Sequence, residues 1–311
     1  MNILVSGGAG YIGAILVPIV LSKGYRVTVL DNLAYGQTSL LGCCSDPNFD
    51  FIRGDICDFG LVNDLLPKFD VVIPLAAIVG APACDRNAML TRLVNYDAHM
   101  NIIGNLSTDQ RVVFPTTNSG YGVGQVGIEC TEESPLQPIS EYGRTKVEIE
   151  KAFLDKGSAV TLRLATVFGM SPRMRMDLLV NDFVYRATKD RALVLFEEHF
   201  RRNYVHIRDV AKTFLFGMDH YERMKGEPYN VGLSSANLSK RELAEKIKEH
   251  VPELSIQTAA IGEDPDKRDY IVSNKKLEGL GWRPDHSLDD GIAELVKGYR
   301  ILRPNTFTNA S

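Results

Sequence analysis

A glycine-rich turn near the amino terminus constrains the fold of this chain more than any other feature. Gly7 and Gly10 lie between an aliphatic run at residues 2–6 and an amphipathic stretch at residues 11–22, and Gly13 lies near the start of that stretch. Glycines at this spacing permit a tight turn from a strand into a helix. They also let a pyrophosphate approach the free N–H groups at the start of the helix. The turn therefore predicts a βα unit that binds a dinucleotide.

One acidic residue indicates which dinucleotide is bound. Asp31 directly follows the second predicted strand, residues 26–30. In such a βα unit, a carboxylate at this point accepts hydrogen bonds from the adenosine ribose. The same carboxylate repels the 2′-phosphate of NADP. The sequence therefore predicts NAD as the cofactor.

Short β-branched runs alternate with amphipathic stretches through the first half of the chain. This pattern is typical of a parallel sheet covered by helices. The sequence predicts an α/β fold: a Rossmann-type doubly wound parallel sheet with a smaller C-terminal substrate-binding cap. Residues 1–168 form the predicted NAD-binding domain, to which later segments return, and residues 169–311 form mainly the cap. The other predicted strands are 51–52, 71–75, 112–114, 160–165 and 204–207, and the other predicted helices are 141–154, 178–188, 209–220 and 239–250.

Composition argues against several classes of protein. The net charge of −4 is spread along 311 residues, whereas nucleic-acid-binding proteins usually carry a basic surplus. No apolar run approaches the length of a membrane helix, and no basic segment precedes the first strand. The five cysteines form no CxxC pair. Such cysteine usage favours a reduced, cytoplasmic protein without a disulfide framework or a metal site.

Tyr142 and Lys146 are candidates for the chemistry because residues four apart lie on one face of a helix. A free tyrosine has a pKa near ~10 and is a poor base at neutral pH. The Lys146 ammonium, together with the positive nicotinamide ring, would stabilise the Tyr142 phenolate. The pair alone is common by chance, so an exposed tyrosine and lysine on a helix is the alternative at this point.

The combination of these features resembles one family. The glycine turn, Asp31, the segment 116–122 after the fifth predicted strand, and the Tyr142–Lys146 pair have the order and spacing of the extended short-chain dehydrogenase/reductase family. That family includes nucleotide-sugar epimerases, dehydratases and 4-dehydrogenases. The resemblance covers nearly the whole chain, and it includes residues 75–77, 94–95, 163–169, 202–210 and 267–270.

The resemblance implies a role for each matched residue. It makes Tyr142 the general base and Lys146 the residue that activates Tyr142 and anchors the nicotinamide ribose. Thr117 becomes the hydroxyl that hydrogen-bonds the reacting sugar oxygen, and Asp55 is similar to the family's adenine contact. The implied cofactor-binding residues are Gly7, Gly10, Tyr11, Ile12, Gly13, Asp31, Asn32, Asp55, Ile56, Leu75, Ala76, Ala77, Asn95, Tyr142 and Lys146.

A substrate site is implied in the same way. Arg202 and Arg268 match the arginines that hold the substrate diphosphate in this family, and a planar guanidinium suits a bidentate phosphate contact. Asn181 matches a further diphosphate contact. The implied substrate-binding residues are Thr117, Asn118, Ser119, Asn181, Arg202 and Arg268. A second set of pocket candidates, without that support, is Arg173, Arg175 and Arg201.

The two residues after Thr117 bear on the type of reaction. Dehydratases of the family carry an acidic pair there, whereas this chain has Asn118 and Ser119, so dehydration is disfavoured. Two activities at C4 of the sugar stay open. The first is a 4-dehydrogenase, because five segments are similar to family members that oxidise a GDP-linked heptose in bacterial surface-polysaccharide pathways. These segments are residues 79–82, 117–122, 131–135, 196–202 and 262–270. The second is a C4 epimerase of the UDP-glucose 4-epimerase type, which uses the same catalytic residues.

Further expectations concern binding partners. A non-catalytic dinucleotide sensor is disfavoured because such proteins typically lack the tyrosine or the lysine, and this chain has both. The expected partners are a nucleotide sugar and a second copy of the chain, with no nucleic acid and no membrane. By analogy with the family, helices near residues 90–106 and 141–154 would form a four-helix dimer interface.

Overall fold

The structure, a computed structural model, describes residues 1–125, 127–259 and 268–302. Residues 262–267, which contribute to the resemblance above, lie outside the described residues. The strands are β1 Asn2–Ser6, β2 Arg26–Asp31, β3 Phe49–Arg53, β4 Val71–Pro74, β5 Arg111–Thr117, β6 Glu129–Cys130, β7 Ala159–Leu164, β8 Thr166–Phe168, β9 Ala192–Leu195, β10 Arg201–His206, β11 Pro228–Val231, β12 Asn237–Ser239, β13 Ser255–Thr258 and β14 Ile271–Val272. The helices are α1 Gly13–Ser22, α2 Phe59–Leu65, α3 Ala81–Arg86, α4 Ala88–Arg92, α5 Ala98–Asn105, α6 Glu141–Lys156, α7 Leu179–Lys189, α8 Ile207–Asp219, α9 Tyr221–Met224, α10 Lys240–His250, α11 Lys275–Gly279 and α12 Leu288–Gly298.

Seven parallel strands form the central sheet, in the order β11-β7-β5-β4-β1-β2-β3. The chain runs outward from β1 to β3 and then crosses to β4 on the other side of β1. This reversal creates a crevice at the carboxyl ends of β1 and β4, where open α/β sheets bind their ligands. The prediction of a Rossmann-type α/β fold is confirmed.

Two strands of the sheet are longer by more than one residue than the sequence pattern predicts. β3 begins at Phe49 rather than at residue 51, because an edge strand tolerates the exposed Asp50. β5 continues through Pro115, which pairs in register with Leu162 although it lacks an N–H group. The extension places Thr117 as the last residue of β5, at the ligand-binding edge of the sheet.

The predicted helix at residues 90–106 consists of three pieces. α4 and α5 are joined by a π-helical turn, Leu93–Asp97. Such turns insert an extra residue into a helix and are frequent at functional sites. This one carries Asn95, whose side chain is fully buried.

The second half of the chain builds the cap and also returns to the sheet. β8, β10 and β12 form a three-stranded sheet, and β9 with β13 and β6 with β14 form two small ones. β11, however, is an edge strand of the central sheet, and one hydrophobic cluster joins Val5, Phe168 and Tyr299. The division at residue 168 therefore stays a prediction. No helix in the described part of the chain is long and apolar enough to cross a membrane.

Candidate functional site

The glycine turn has the close packing that a dinucleotide site requires. Gly7 has a φ of +69°, and a Cβ there would lie 2.5 Å from the backbone nitrogen of Ala76. A Cβ on Gly13 would collide with the Gly8 backbone, whereas one on Gly10 would meet only the carbonyl oxygen of Gly7. The turn is thus tightly packed at Gly7 and Gly13. At Gly10, at the start of α1, it leaves open space. This cradle fits a pyrophosphate.

Asp31 ends β2 beside this turn, with only 7% of its surface exposed. Its Oδ2 accepts a hydrogen bond from Ala9 N at 3.0 Å, and its Oδ1 accepts one from Leu33 N at 2.8 Å. Burial raises the pKa of Asp31, while these two backbone donors lower it. Gln37 Nε2 also donates to Oδ1, at 3.3 Å. Asp31 therefore holds the glycine turn in place, and its Oδ2 keeps a lone pair for a further donor.

The other adenine-side residues lie in the same corner. Asn32 Nδ2 donates to Asp55 Oδ2 at 2.9 Å, and Cys57 N donates to Asp55 Oδ1 at 2.8 Å. Hydrogen bonds from these two residues contribute to a lowered pKa of the Asp55 carboxyl, although burial opposes the shift. Ile56 is buried beneath them. The structure thus brings Asp31, Asn32, Asp55 and Ile56 together at the end of β2 and β3.

Asn95 supports the segment that follows β4. Its Oδ1 accepts from Ile78 N and its Nδ2 donates to Ile78 O, both at 2.8 Å. This pairing fixes the chain just after Leu75, Ala76 and Ala77, which face the glycine turn. Because both amide atoms are bonded to protein, the assignment of Asn95 as a direct cofactor contact stays a prediction.

Tyr142 and Lys146 lie on consecutive turns of α6. The helix begins where Ser140 Oγ accepts a hydrogen bond from Gly143 N at 3.1 Å, and it ends at Gly157, whose φ is +74°. Lys146 is 4% exposed, and its Nζ donates to Pro115 O at 3.3 Å. Burial lowers the pKa of Lys146 to about 8. The lysine is thus held against the carboxyl end of β5, and the alternative of an exposed pair is wrong for this residue.

Tyr142 is partly buried, and its burial raises its pKa to about 12. The guanidinium groups of Arg175 and Arg268 act in the opposite direction and lower the pKa. The tyrosine is therefore protonated at neutral pH unless further positive charge comes close. A bound nicotinamide ring is a positive charge of that kind.

Thr117 faces the same site from the end of β5. Its Oγ1 accepts a hydrogen bond from Ser119 N at 3.1 Å and donates to Ser119 Oγ at 2.8 Å, which caps a 3₁₀ turn, Asn118–Tyr121. The turn packs on the first turn of α6, since a Cβ on Gly143 would lie 3.5 Å from Ser119 O. β5 and α6 thus bring the Thr117 hydroxyl and the Tyr142 helix to one edge of the sheet.

Asn118 has a side chain in an unusual environment. It is 1% exposed, and neither amide atom has a hydrogen-bond partner among the described residues. An unpaired buried amide is destabilising, and such a group frequently marks a binding function. An amide both donates and accepts, so it suits a hydroxyl group of a ligand.

One of the two predicted diphosphate arginines contacts this turn, and the other lies against Tyr270. Arg268 Nη1 donates to Ser119 Oγ. Arg202 lies in β10, is 3% exposed, and stacks its guanidinium 5.8 Å from the ring of Tyr270. Tyr270 in turn contacts Tyr121 with ring centroids 6.2 Å apart. The structure therefore gathers the segment with Arg268 and Tyr270 beside the turn that follows Thr117.

Asn181 lies in α7 with no exposed surface. Its Oδ1 accepts from Gly169 N at 3.0 Å, and its Nδ2 donates to Tyr11 OH at 3.1 Å and to Arg175 O at 2.9 Å. These bonds join the cap to Tyr11 of the glycine turn, whose hydroxyl also donates to Gly169 O at 2.8 Å. Its assignment as a diphosphate contact stays a prediction, because protein groups occupy both amide atoms.

Sequence reasoning missed two groups near Tyr142. Cys84 is buried close to both groups, and negative charge on its sulfur raises the pKa of Tyr142 and opposes the lowering of the Lys146 pKa by burial. Arg175, only a candidate pocket residue by sequence, pairs with Asp177 through contacts of 2.8 and 2.6 Å above Gly80. Neither Cys84 nor Asp177 belongs to a motif, so the sequence offered no signal for them.

One group of described residues has the composition of a metal site, although no metal was expected. His206, Asp209 and His286 place possible ligand atoms within 4.8 Å of one another. His206 Nε2, however, bonds Glu294 Oε2 at 2.7 Å, and His286 Nδ1 bonds Asp209 Oδ1 at 3.2 Å. The imidazole rings also stack with centroids 4.4 Å apart. We infer that these residues connect α8 to α12 and do not bind a metal.

Comparison with known proteins places this site in a family. The chain belongs to the NAD dependent epimerase/dehydratase family, whose model matches residues 3–232. It is 30% identical to the low-salt glycan biosynthesis protein Agl12 of Haloferax volcanii, over 96% of this chain and 98% of that protein. It is 29% identical to a dTDP-glucose 4,6-dehydratase of an Actinoplanes species, over 97% and 99% of the two chains.

A solved structure agrees with the sequence relatives. The UDP-glucose 4-epimerase of Thermus thermophilus, crystallised with NAD, is 27% identical, with a TM-score of 0.82 over 96% of this chain and 99% of that one. The prediction of NAD as the cofactor is confirmed. The glycine turn and the Asp31 corner described above fit that cofactor, since they combine a pyrophosphate cradle with a carboxylate at the ribose position.

Proposed function

We propose that this protein is an NAD-dependent oxidoreductase that acts at C4 of a nucleotide-activated sugar. The observation that carries the proposal is the meeting of β5 and α6. Lys146 bonds the Pro115 carbonyl, and the turn capped by Thr117 packs on the helix turn that carries Tyr142. The relatives support a nucleotide-sugar substrate, because their names include a UDP-glucose epimerase and a dTDP-glucose dehydratase.

The proposed chemistry assigns one task to each residue. NAD supplies a hydride acceptor when it is bound. Thr117 Oγ1 hydrogen-bonds the C4 oxygen of the sugar and orients it toward Tyr142. The Tyr142 phenolate takes the proton of the C4 hydroxyl as the C4–H bond breaks, so that a C4 ketone remains. Lys146 keeps a positive charge beside the phenolate and lowers its pKa.

Two arginines fit the charged part of such a substrate. Arg268 bonds Ser119 in the turn that follows Thr117, and Arg202 lies against Tyr270. Both carry the planar guanidinium group that pairs with phosphate oxygens. We assign them to the diphosphate. The unpaired Asn118 amide is assigned to a sugar hydroxyl, because the buried amide offers one donor side and one acceptor side.

Within this class we propose a GDP-D-glycero-D-manno-heptose 4-dehydrogenase that serves bacterial surface-polysaccharide synthesis. Asn118 and Ser119 provide no carboxylate to protonate or deprotonate a leaving hydroxyl, so water is not eliminated from the sugar. The segments quoted in the sequence analysis support the heptose. Because the keto sugar leaves in this scheme, the reduced cofactor must be reoxidised by another carbonyl compound, such as a keto acid or a second keto sugar.

The second candidate is a C4 epimerase. It uses the same three residues, and the similarity to the Thermus thermophilus UDP-glucose 4-epimerase favours it. In that scheme the hydride returns to the opposite face of C4, so no external oxidant is consumed. The two candidates therefore differ in their need for an oxidant.

The test uses purified protein with GDP-D-glycero-D-manno-heptose or with UDP-glucose, each with and without 2-oxoglutarate. A dehydrogenase forms a 4-keto sugar from the GDP-heptose, and the oxidant raises the yield above one product per bound cofactor. If UDP-glucose is instead converted to its C4 epimer without oxidant or free keto sugar, the epimerase replaces the dehydrogenase. If neither sugar reacts, the activity at C4 of these nucleotide sugars is contradicted.

A further inference from the structure

A buried ion pair joins β7 to α6, the helix that carries Tyr142 and Lys146. Arg163 of β7 and Glu150 of α6 are 5% and 2% exposed. The Arg163 guanidinium donates to the carboxylate through Nε, at 3.0 and 3.2 Å to the two oxygens, and through Nη2 at 2.6 Å to Oε1. The pair of parallel bonds fixes the orientation of the guanidinium plane.

The other side of the same guanidinium holds a different part of the site. Arg163 Nη1 donates to Tyr121 OH at 3.0 Å and to Glu132 O at 3.0 Å. Tyr121 OH donates onward to Asn230 Oδ1 of β11 at 2.7 Å. Burial raises the pKa of Tyr121, so its hydroxyl keeps the proton needed for this bond.

Arg163 joins the two elements that carry the proposed catalytic residues, namely α6 and the turn that follows Thr117. Glu150 follows Lys146 by one helical turn and Tyr142 by two, on one face of α6. Tyr121 is the last residue of the 3₁₀ turn that begins directly after Thr117. The planar guanidinium of Arg163 therefore connects the helix that carries Tyr142 and Lys146 to the turn that follows Thr117.

We propose that Arg163 is a positioning residue for hydride transfer, acting through Tyr121 and Glu150 on the geometry of Thr117 and Tyr142. This inference rests on the proposed function of those catalytic residues. Buried ion pairs contribute little net stability compared with apolar packing, so stability alone gives no reason for the arrangement. Small displacements of reacting groups, by contrast, reduce rates strongly.

The main test is Tyr121→Phe, which removes the hydroxyl that links Arg163 to the turn and keeps the ring and the ion pair. The matched control is Tyr221→Phe, since Tyr221 is also buried and its hydroxyl donates to Ser158 O, just before β7 at the opposite end of that strand. A second variant, Arg163→Lys, keeps the positive charge but removes the planar guanidinium and its paired hydrogen bonds to Glu150. Thermal unfolding is measured for all three.

Activity is measured as single-turnover reduction of bound NAD by GDP-D-glycero-D-manno-heptose or UDP-glucose, whichever reacts with the wild type. Tyr121→Phe and Arg163→Lys are expected to lower the rate constant by about 10- to 100-fold with KM and NAD affinity nearly unchanged. The isotope effect of deuterium at C4 should rise, because the hydride step becomes slower. Tyr221→Phe should lose similar thermal stability and keep the wild-type rate.

Equal rates for Tyr121→Phe and Tyr221→Phe would overturn the positioning role. A rate loss that merely follows the loss of thermal stability in all variants would also overturn it. Should Arg163→Lys fail to fold, Tyr121→Phe alone decides. A wild-type rate in Tyr142→Phe, or no reaction of either sugar with the wild type, would instead overturn the proposed function, and the inference would fall with it.

Discussion

Lys146 Nζ lies 4.7 Å from the centroid of the Phe114 ring. The ammonium thus sits between an aromatic face and the Pro115 carbonyl, with 4% of the residue exposed. Lys146 follows Tyr142 by one turn on the same face of α6. Its buried position removes most of the water that stabilises an ammonium group. The proposed role of Lys146 in the chemistry therefore comes at the expense of folding stability.

The first prediction concerns the effect of the buried Lys146 charge on folding stability. The pKa of Lys146 falls from 10.5 to about 8 on folding, so below pH 8 the folded state must hold a proton that burial disfavours. The penalty is about 3 kcal/mol, and the lost bond to Pro115 offsets about 1 kcal/mol of it. Lys146→Met should therefore stabilise the protein by about 2 kcal/mol at pH 7 while abolishing turnover.

The pH dependence of stability distinguishes the buried charge from a packing effect. Between about pH 8 and pH 10.5 the unfolded chain binds more protons at Lys146 than the folded chain, so wild-type stability rises relative to the variant. Urea unfolding at several pH values should show the advantage of Lys146→Met shrinking across that window. Lys151→Met, on the exposed side of α6, is the control and should change stability by less than about 0.5 kcal/mol. A destabilised Lys146→Met at pH 7 would contradict the argument.

The second prediction concerns cofactor choice. Asp31→Asn removes the charge and keeps an oxygen that can accept from Ala9 or Leu33. The preference for NAD over NADP should fall by about 10- to 100-fold, because a 2′-phosphate no longer meets a carboxylate. Calorimetric titration with both dinucleotides measures this ratio. Asp50→Ser, which changes an exposed carboxylate of β3, should leave it unchanged, and an equal effect of both substitutions would exclude Asp31 as the discriminating group.

The third prediction concerns assembly. Apolar side chains at Met89, Leu90, Leu93 and Met100 are at least 36% exposed along α4, the π turn and α5. We propose that this face packs against a second copy of the chain, as the family resemblance implies. Sedimentation should show a dimer at micromolar concentration, and Leu90→Glu with Leu93→Glu should give a folded monomer. Ile301→Glu, at a more exposed aliphatic residue elsewhere, should remain dimeric, and a monomeric wild type would contradict the proposal.

The sequence predicted those parts of the site that depend on residues close together in the chain. The glycine turn, Asp31 and the Tyr142–Lys146 pair each depend on a few neighbouring residues, and the strand that positions Thr117 was recognisable from its apolar core. The residue numbers of these features could therefore be read directly. The length of β5 was not predicted, because Pro115 normally argues against a continuing strand.

The supporting groups could not be predicted because their partners are distant in the chain. Arg163 meets Tyr121 across 42 residues, and Asn181 meets Tyr11 across 170 residues. Such contacts depend on how α6, α7 and the cap pack on the sheet, and no local pattern encodes that packing. Cys84 was indistinguishable from the other cysteines for the same reason.

The most direct test of the central claim follows the hydride itself. A nucleotide sugar that carries deuterium at C4, either the GDP-heptose or UDP-glucose, is incubated with the NAD-bound protein, and the cofactor is then analysed by mass spectrometry. The proposed function predicts deuterium on the cofactor with the wild type. Tyr142→Phe should bind NAD normally and transfer about 10²- to 10⁴-fold more slowly, because the general base is lost. A cofactor that stays free of deuterium while the wild-type protein releases a 4-keto sugar without added oxidant would contradict hydride transfer from C4.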